Sequence, residues 1–549
     1  MRNLKIMKNS KYVILFTLFA TNLIDQPALE VKIDQGIVSG KVSGDGSFFE
    51  YVGIPYATTN VESRFKAPLP PPKWDGVYKA VDEHYQCPQN NPLGVHGTED
   101  CLKINVYVPA HAKGPLPVMA YIHGGAFILG NGGKLIVGPD FLVKQDVILV
   151  SFNYRLGVLG FLCLGTEDAP GNAGLKDQVA ALRWIQRNIA AFGGDPENVT
   201  IFGTSAGGVS VSLLVASETT NGLFKRAIMH SGSSFASWSI TYNPLLIASN
   251  YAKLLGFDAK EPSEIYNHFS NMTYKDLLSV ISPYGILWLV NEKILNAPCV
   301  EKNIPGVEPF LTDLSFNLMN KNPKNISLMY SSTDLEGLFL MDEETEESLK
   351  INNERPILID NLIFKTEKEA KEIDSKIKEY YFGKHEVSEK NIMNLSQLYT
   401  DLHFEAPAIM ESEIYARKID APVYYYYFTY NGERNFVKGS TKYHNETGAC
   451  HGDDLMYIFD GAIVPYRIDK RDQIVIDWMA KLLTNFAKYG DPTPSIATDL
   501  PVKWIPHSKT KLNILEISDE LKMTSVPNPD SYQFWKEIYD KYRNVKVNS

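Results

Sequence analysis

The chain has 549 residues, of which 44% are hydrophobic, 21% charged and 11% aromatic, a balance that supports a packed core and excludes a disordered chain. Its 54 Lys and Arg against 64 Asp and Glu leave a net charge of −10, and an acidic chain without a basic stripe argues against nucleic acid as a partner. Five cysteines are too few for a disulfide scaffold, and the absence of any CxxC spacing argues against a structural metal site.

At the start of the chain Arg2, Lys5, Lys8 and Lys11 lead into an apolar run from Tyr12 to Ala20. That run falls short of the ~20 residues needed to cross a bilayer and fits the apolar stretch of a secretory signal peptide. We expect a signal peptide over residues 1–24, with cleavage between Ala20 and Ala28, and one domain over 25–549. Sequons at Asn198, Asn271, Asn325, Asn394 and Asn445 agree with export. Asn198 and Asn325 open apolar runs of strand type, so either could be too buried for sugar. The C-terminal residues carry no apolar tail for a lipid anchor and no retention tetrapeptide. The expectation is a secreted, soluble protein without a stable membrane anchor.

From Gly36 to Gly232, apolar runs alternate with glycine-rich turns and helical stretches. Val118 to Ile122, Val147 to Phe152 and Val199 to Phe202 have strand length and β-branched or aromatic content. Between the last two, Val179, Leu182, Ile185 and Ile189 recur at helical spacing, predicting a helix over 177–192 stopped by Gly193-Gly194. Strands separated by helices, with continuous apolar runs, predict an α/β fold: a mostly parallel central sheet covered by helices on both faces. Further on, 343–350 and 366–379 are charge-dense and read as solvated helices. Strands return at 326–330 and at 423–428, where the four-tyrosine run reads as buried structure. No linker or internal repeat divides the chain, so the added helices read as insertions in one domain.

Two glycine turns carry the chemistry. Gly203-Thr204-Ser205-Ala206-Gly207 follows the 199–202 strand and precedes a helix-compatible stretch over 208–216. In that context G-x-S-x-G is a nucleophile elbow, a turn so tight that the residues flanking the serine must be small. A hydroxyl nucleophile needs a base and an oxyanion site. His123-Gly124-Gly125-Ala126 follows the 118–122 strand, the place for backbone oxyanion donors. Gly125 and Ala126 are expected to supply two N–H groups and Ala206 a third. Eleven histidines leave the base open at this point.

These turns sit among further motifs, and together they resemble the type-B carboxylesterases of the cholinesterase/carboxylesterase family, insect carboxylesterases above all. Gly53-Ile54-Pro55-Tyr56-Ala57, Glu99-Asp100-Cys101-Leu102 with Asn105-Val106, and Asn153-Tyr154-Arg155-Leu156-Gly157 carry the likeness through the N-terminal half. Phe192-Gly193-Gly194-Asp195-Pro196 and Asn485-Phe486-Ala487-Lys488-Tyr489-Gly490-Asp491-Pro492 extend it toward the end. The resemblance implies the α/β-hydrolase fold and a serine carboxylic-ester hydrolase with no cofactor and no metal. It makes Ser205 the nucleophile, His451 in Cys450-His451-Gly452-Asp453 the base, and Glu336 in Asp334-Leu335-Glu336-Gly337 the acid, with Asp334 its neighbour and rival. It further implies that Ser231 hydrogen-bonds behind the triad, that Trp238 lines the acyl pocket, and that Cys87 and Cys101 form a disulfide. Cys163, Cys299 and Cys450 are then left over, with no second disulfide expected and Cys450 a small buried hydrophobe.

The departures from the family pattern narrow the substrate. Cholinesterases hold choline on a tryptophan ahead of the Glu-Asp-Cys-Leu motif, and residues 88–98 here contain no Trp, Tyr or Phe. Juvenile hormone esterases typically read G-Q-S-A-G at the elbow, where this chain has Thr204. The expected partner is a small, uncharged aliphatic ester, in a general, xenobiotic or odorant-type role. A juvenile hormone esterase and a non-catalytic cholinesterase-like binding protein are the alternatives.

Overall fold

The computed structural model describes residues 27–546, apart from 92–93, 112, 281–288, 291–292, 358–359, 465–466 and 497–498. The expected signal peptide lies outside the described residues. Eleven strands join in one sheet: β1 (Lys41–Val42), β2 (Phe48–Pro55), β3 (Lys103–Pro109), β4 (Leu116–Ile122), β5 (Ile148–Phe152), β6 (Gly194–Thr204), β7 (Arg226–His230), β8 (Ser327–Thr333), β9 (Val423–Phe428), β10 (Ile514–Ile517) and β11 (Leu521–Thr524). Their order across the sheet is β11-β10-β9-β8-β7-β6-β4-β5-β3-β2-β1. From β5 to β10 every pairing is parallel; the outer pairs are antiparallel.

The apolar runs are continuous because both faces of the sheet are covered. On β4, Val118, Ala120 and Ile122 enter one core while Met119 and Tyr121 enter the other. The tyrosines of β9 divide in the same way, Tyr425 and Tyr427 to one side and Tyr424 and Tyr426 to the other, all buried. The first core is closed by α1 (Ala173–Asn188), through Val179, Leu182 and Ile185, and by α2 (Ala206–Ala216), in which every residue is buried. The second is closed by Leu482, Leu483 and Phe486 on the long helix over Lys470–Tyr489.

Helix α1 begins four residues before the 177–192 span predicts and stops at Asn188, with Ile189–Phe192 tightening into a 3₁₀ turn that Gly193 ends at φ 84°. The polar residues near its start are satisfied inside the protein: Asp177 takes a two-pronged ion pair from Arg155, and Lys176 pairs with Glu301. The charge-dense segments form helices over Glu346–Glu354 and Glu367–Phe382, opened by Thr345 and Thr366 side-chain caps.

Cys87 and Cys101 form a disulfide, and Cys450 is free and buried. The expectation of a single disulfide is corrected: Cys163 and Cys299 are also bonded, across 136 residues of sequence. No spacing rule relates cysteines that far apart; the turn at Gly171, where a Cβ would lie 2.6 Å from the Cys299 sulfur, brings them together. A loop of that length constrains the unfolded chain strongly. A Cys163→Ala/Cys299→Ala variant is therefore expected to lose about 2–5 kcal/mol, measured as a lower midpoint in urea.

Candidate active site

The functional side chains stand at the carboxyl ends of the parallel strands, where open α/β sheets gather their ligands. Ser205 directly follows β6 and caps α2 with φ 61° and ψ −126°, a conformation that costs a non-glycine residue about 1–3 kcal/mol. The surroundings dictate the turn. A Cβ on Gly207 would lie 2.1 Å from the carbonyl oxygen of Ile122, and one on Gly203 2.7 Å from the same atom. The Ser205 N–H donates to the His230 carbonyl at 2.9 Å, which fixes the elbow to β7.

Opposite the elbow, the turn after β4 holds Gly125 at φ 107° and Ala126 at φ 53°. Gly125 is confined by the Leu129 carbonyl oxygen, 2.2 Å from where a Cβ would sit. Ala206 is the first residue of α2, so its N–H belongs to the turn that has no acceptor within the helix. His123 supports this turn: its Nδ1 lies 2.9 Å from the Gly124 carbonyl, Tyr154 stacks on it at 4.4 Å, and burial pushes its pKa down to about 4. It is neutral and structural.

Glu336 follows β8 and is fully buried. Its Oε1 accepts the Thr333 N–H at 2.8 Å, and its Oε2 lies 2.6 Å from Nδ1 of His451. The rival Asp334 faces elsewhere. Its Oδ1 accepts the Ala449 N–H at 2.7 Å and it packs on Gly448, so it anchors the loop that delivers the histidine. Asp453 holds the same loop, accepting from the N–H groups of Val437 at 2.8 Å and Cys450 at 2.7 Å. Phe339 and Phe404 flank the His451 ring at 4.9 and 4.5 Å.

Sequence reasoning did not single out these two phenylalanines. Each lies in a helical stretch, with no motif to distinguish it from a core residue. Ser231, at φ 47°, donates its N–H to the Ser331 carbonyl at 3.0 Å; its buried hydroxyl makes no hydrogen bond. Trp238 donates its Nε1–H to the His403 carbonyl at 3.2 Å and rests between Phe127 and Phe404.

Ser205, Gly125, Ala126, Trp238 and His451 line one cavity of about 510 Å³. No Asp, Glu, Lys or Arg is among its described lining residues; Leu129, Val137, Leu340 and Met456 supply much of the wall. A larger cavity of about 610 Å³ between α1 and the Pro68–Pro71 turn is rimmed by the Arg183–Glu308 pair and holds no nucleophile beside a base. Among the described residues no acidic, histidine and cysteine cluster could hold a metal ion.

Below His451, burial raises the Asp454 carboxyl to about 6, where it accepts from the Tyr426 hydroxyl at 2.7 Å. Asp454 therefore holds its proton more tightly folded than unfolded. Its contribution to stability is complete below the ordinary aspartate pKa of ~3.9 and is lost as pH rises through about 6. Asp454→Asn keeps the acceptor for Tyr426 and removes the ionisation. The fall in Tm between about pH 4 and about pH 7 is expected to shrink in this variant, and an undiminished fall would exclude Asp454 as its source.

Residues 27–535 match the carboxylesterase family. The chain belongs to that family. Its curated relatives include Esterase FE4 of Myzus persicae, 35% identical across 87% of this chain and 88% of the relative. Juvenile hormone esterase of Heliothis virescens is 33% identical across 84% and 85%. Among solved structures, juvenile hormone esterase from Manduca sexta with OTFP covalently attached superposes with a TM-score of 0.83 at 30% identity, covering 93% of this chain and 99% of that one. The large, mostly parallel sheet of this carboxylesterase is thus that of the α/β-hydrolase esterases, as its motifs imply.

Proposed function

We propose that this carboxylesterase is a secreted serine ester hydrolase that works through an acyl-enzyme on uncharged aliphatic esters. The observation that carries the reading is the 2.6 Å contact of Glu336 with Nδ1 of His451, beside an elbow serine that lines the same uncharged cavity. His451 takes the proton of Ser205 as its Oγ attacks the ester carbonyl, then gives that proton to the departing alcohol. Glu336 fixes the imidazole tautomer and stabilises the imidazolium. The N–H groups of Gly125, Ala126 and Ala206 receive the oxyanion, and each such donor is worth about 2.7–4 kcal/mol. Water activated by His451 then releases the acid and regenerates Ser205.

Export is supported by Asn271, Asn325, Asn394 and Asn445, whose side chains are exposed. Asn198 is half-buried and bonded to Arg226, which makes it a poor acceptor for sugar. Among the described residues no helix is long and apolar enough to cross a membrane. A second reading, juvenile hormone esterase, is favoured by the close superposition on the Manduca sexta enzyme.

Rapid mixing with p-nitrophenyl butyrate tests the mechanism. A burst of p-nitrophenol, with the butyryl mass added at Ser205, is expected; turnover without an adduct would overturn the acyl-enzyme. Hydrolysis of juvenile hormone beside n-alkyl acetates, compared by kcat/KM, decides between the two substrate readings.

A further inference from the structure

Behind the active-site cavity lies a second one of about 410 Å³, and the two share Trp238, Val290, Leu295 and His403 as lining residues. One layer of side chains thus separates them. That layer is pinned between two segments. The Ser237 hydroxyl lies 2.7 Å from Nδ1 of His403, and the Trp238 indole N–H reaches the His403 carbonyl. His403 itself belongs to a single π-helical turn, Asp401–Glu405, between the helices Ile392–Thr400 and Ala406–Lys418. Such turns carry an extra residue and recur at functional sites.

The far cavity is lined by Ile240, Ile247, Leu395, Leu398 and Leu402, and its outer rim carries the exposed Lys293–Asp360 ion pair. Ser237 and His403 share its wall as a bonded pair, but the lining carboxylate Asp360 is paired with Lys293 and not with that imidazole, so no second triad is assembled there. The dividing wall is uncharged, because burial holds the His403 pKa at about 4 and the imidazole is neutral at physiological pH. Trp238 is half-buried, and its indole hydrogen bond to the His403 carbonyl is the contact that must open for a chain to pass.

We propose that the second cavity is a distal compartment of the substrate site, which takes the far end of a long apolar chain as it passes the Trp238–His403 wall. The ligand is an ester whose acyl or alcohol chain outruns the first cavity. An apolar chain meets no charge in crossing the wall, and each methylene lodged against the apolar lining beyond it adds about fourfold to kcat/KM. The inference rests on the serine-esterase reading.

Two chain-length series test it: p-nitrophenyl esters, which lengthen the acyl group, and n-alkyl acetates, which lengthen the alcohol. Both run from two to twelve carbons, with wild type, Ile247→Trp and Trp238→Ala. Ile247→Trp fills the distal compartment without touching the first cavity. It is expected to lower kcat/KM for the long members of one series tenfold or more, while two- and four-carbon esters stay within twofold. Trp238→Ala opens the wall and is expected to raise the long-to-short ratio fivefold or more in that same series. Short-ester turnover doubles as the folding control, and Leu246→Trp, on the exposed side of the compartment, replaces Ile247→Trp if the latter does not fold. Normal short-ester hydrolysis with ratios unchanged in all variants would overturn the compartment and leave the esterase reading standing. A wild type inert toward every ester would overturn both.

Discussion

Ser205→Ala is expected to lower kcat for ester hydrolysis by about 10⁵–10⁶, the scale on which removing a triad nucleophile acts, while the protein stays folded. The residue is surrounded by glycines that no longer constrain an alanine more than a serine, since Cβ is common to both. Its positive φ is retained by the neighbours that impose it: the Ile122 carbonyl against Gly207 and the His230 carbonyl on the Ser205 N–H. The loss therefore falls on chemistry and not on the fold. The check is steady-state hydrolysis of p-nitrophenyl butyrate beside a thermal unfolding scan. An alanine variant that keeps more than about a hundredth of the wild-type rate would place the nucleophile elsewhere.

Glu336→Gln is expected to cost about 10⁴ in kcat, because the amide can present an N–H to Nδ1 and select the wrong imidazole tautomer. The geometry sets this apart from Asp334→Asn. Asp334 reaches the backbone of Ala449 and not the imidazole, so its amide variant is expected to loosen the histidine loop and lower Tm with a far smaller effect on kcat. Parallel kcat and Tm measurements on the two variants decide between the neighbouring acids. Equal losses of kcat would mean that the acid's identity is shared.

Much of this was legible from residue order alone. The three strands at 118–122, 147–152 and 199–202 were visible because a strand buried on both faces is mostly apolar, as β4, β5 and the buried second half of β6 are; the polar first half of β6, Asp195 to Asn198, gave no such signal. The two glycine turns were visible because backbone there has no room for Cβ. The pairing of His451 with Glu336 spans 115 residues, and no local pattern encodes it; only likeness to other chains pointed there. The Cys163–Cys299 bond and the Phe339–His451–Phe404 stack were not legible, since each is made by segments that meet only after the sheet has assembled. The first turn of α1 was hidden because Ala173-Gly174-Leu175-Lys176 precedes the apolar repeat that begins at Val179, and only the left-handed backbone at Gly171 and Asn172 marks where the helix starts.

The strand order also sets a sequence in time. The elbow, the oxyanion turn and the parallel pairs β5-β4-β6-β7 are complete in the chain by His230. The acid arrives just after β8 and the histidine only after β9. At about 5–20 residues per second of synthesis, a nascent chain exposes Ser205 for roughly 10–50 s before a base exists to activate it. On the proposed mechanism such a chain is expected to be unreactive toward any ester it meets while still on the ribosome, and a chain cut short before residue 451 to stay so.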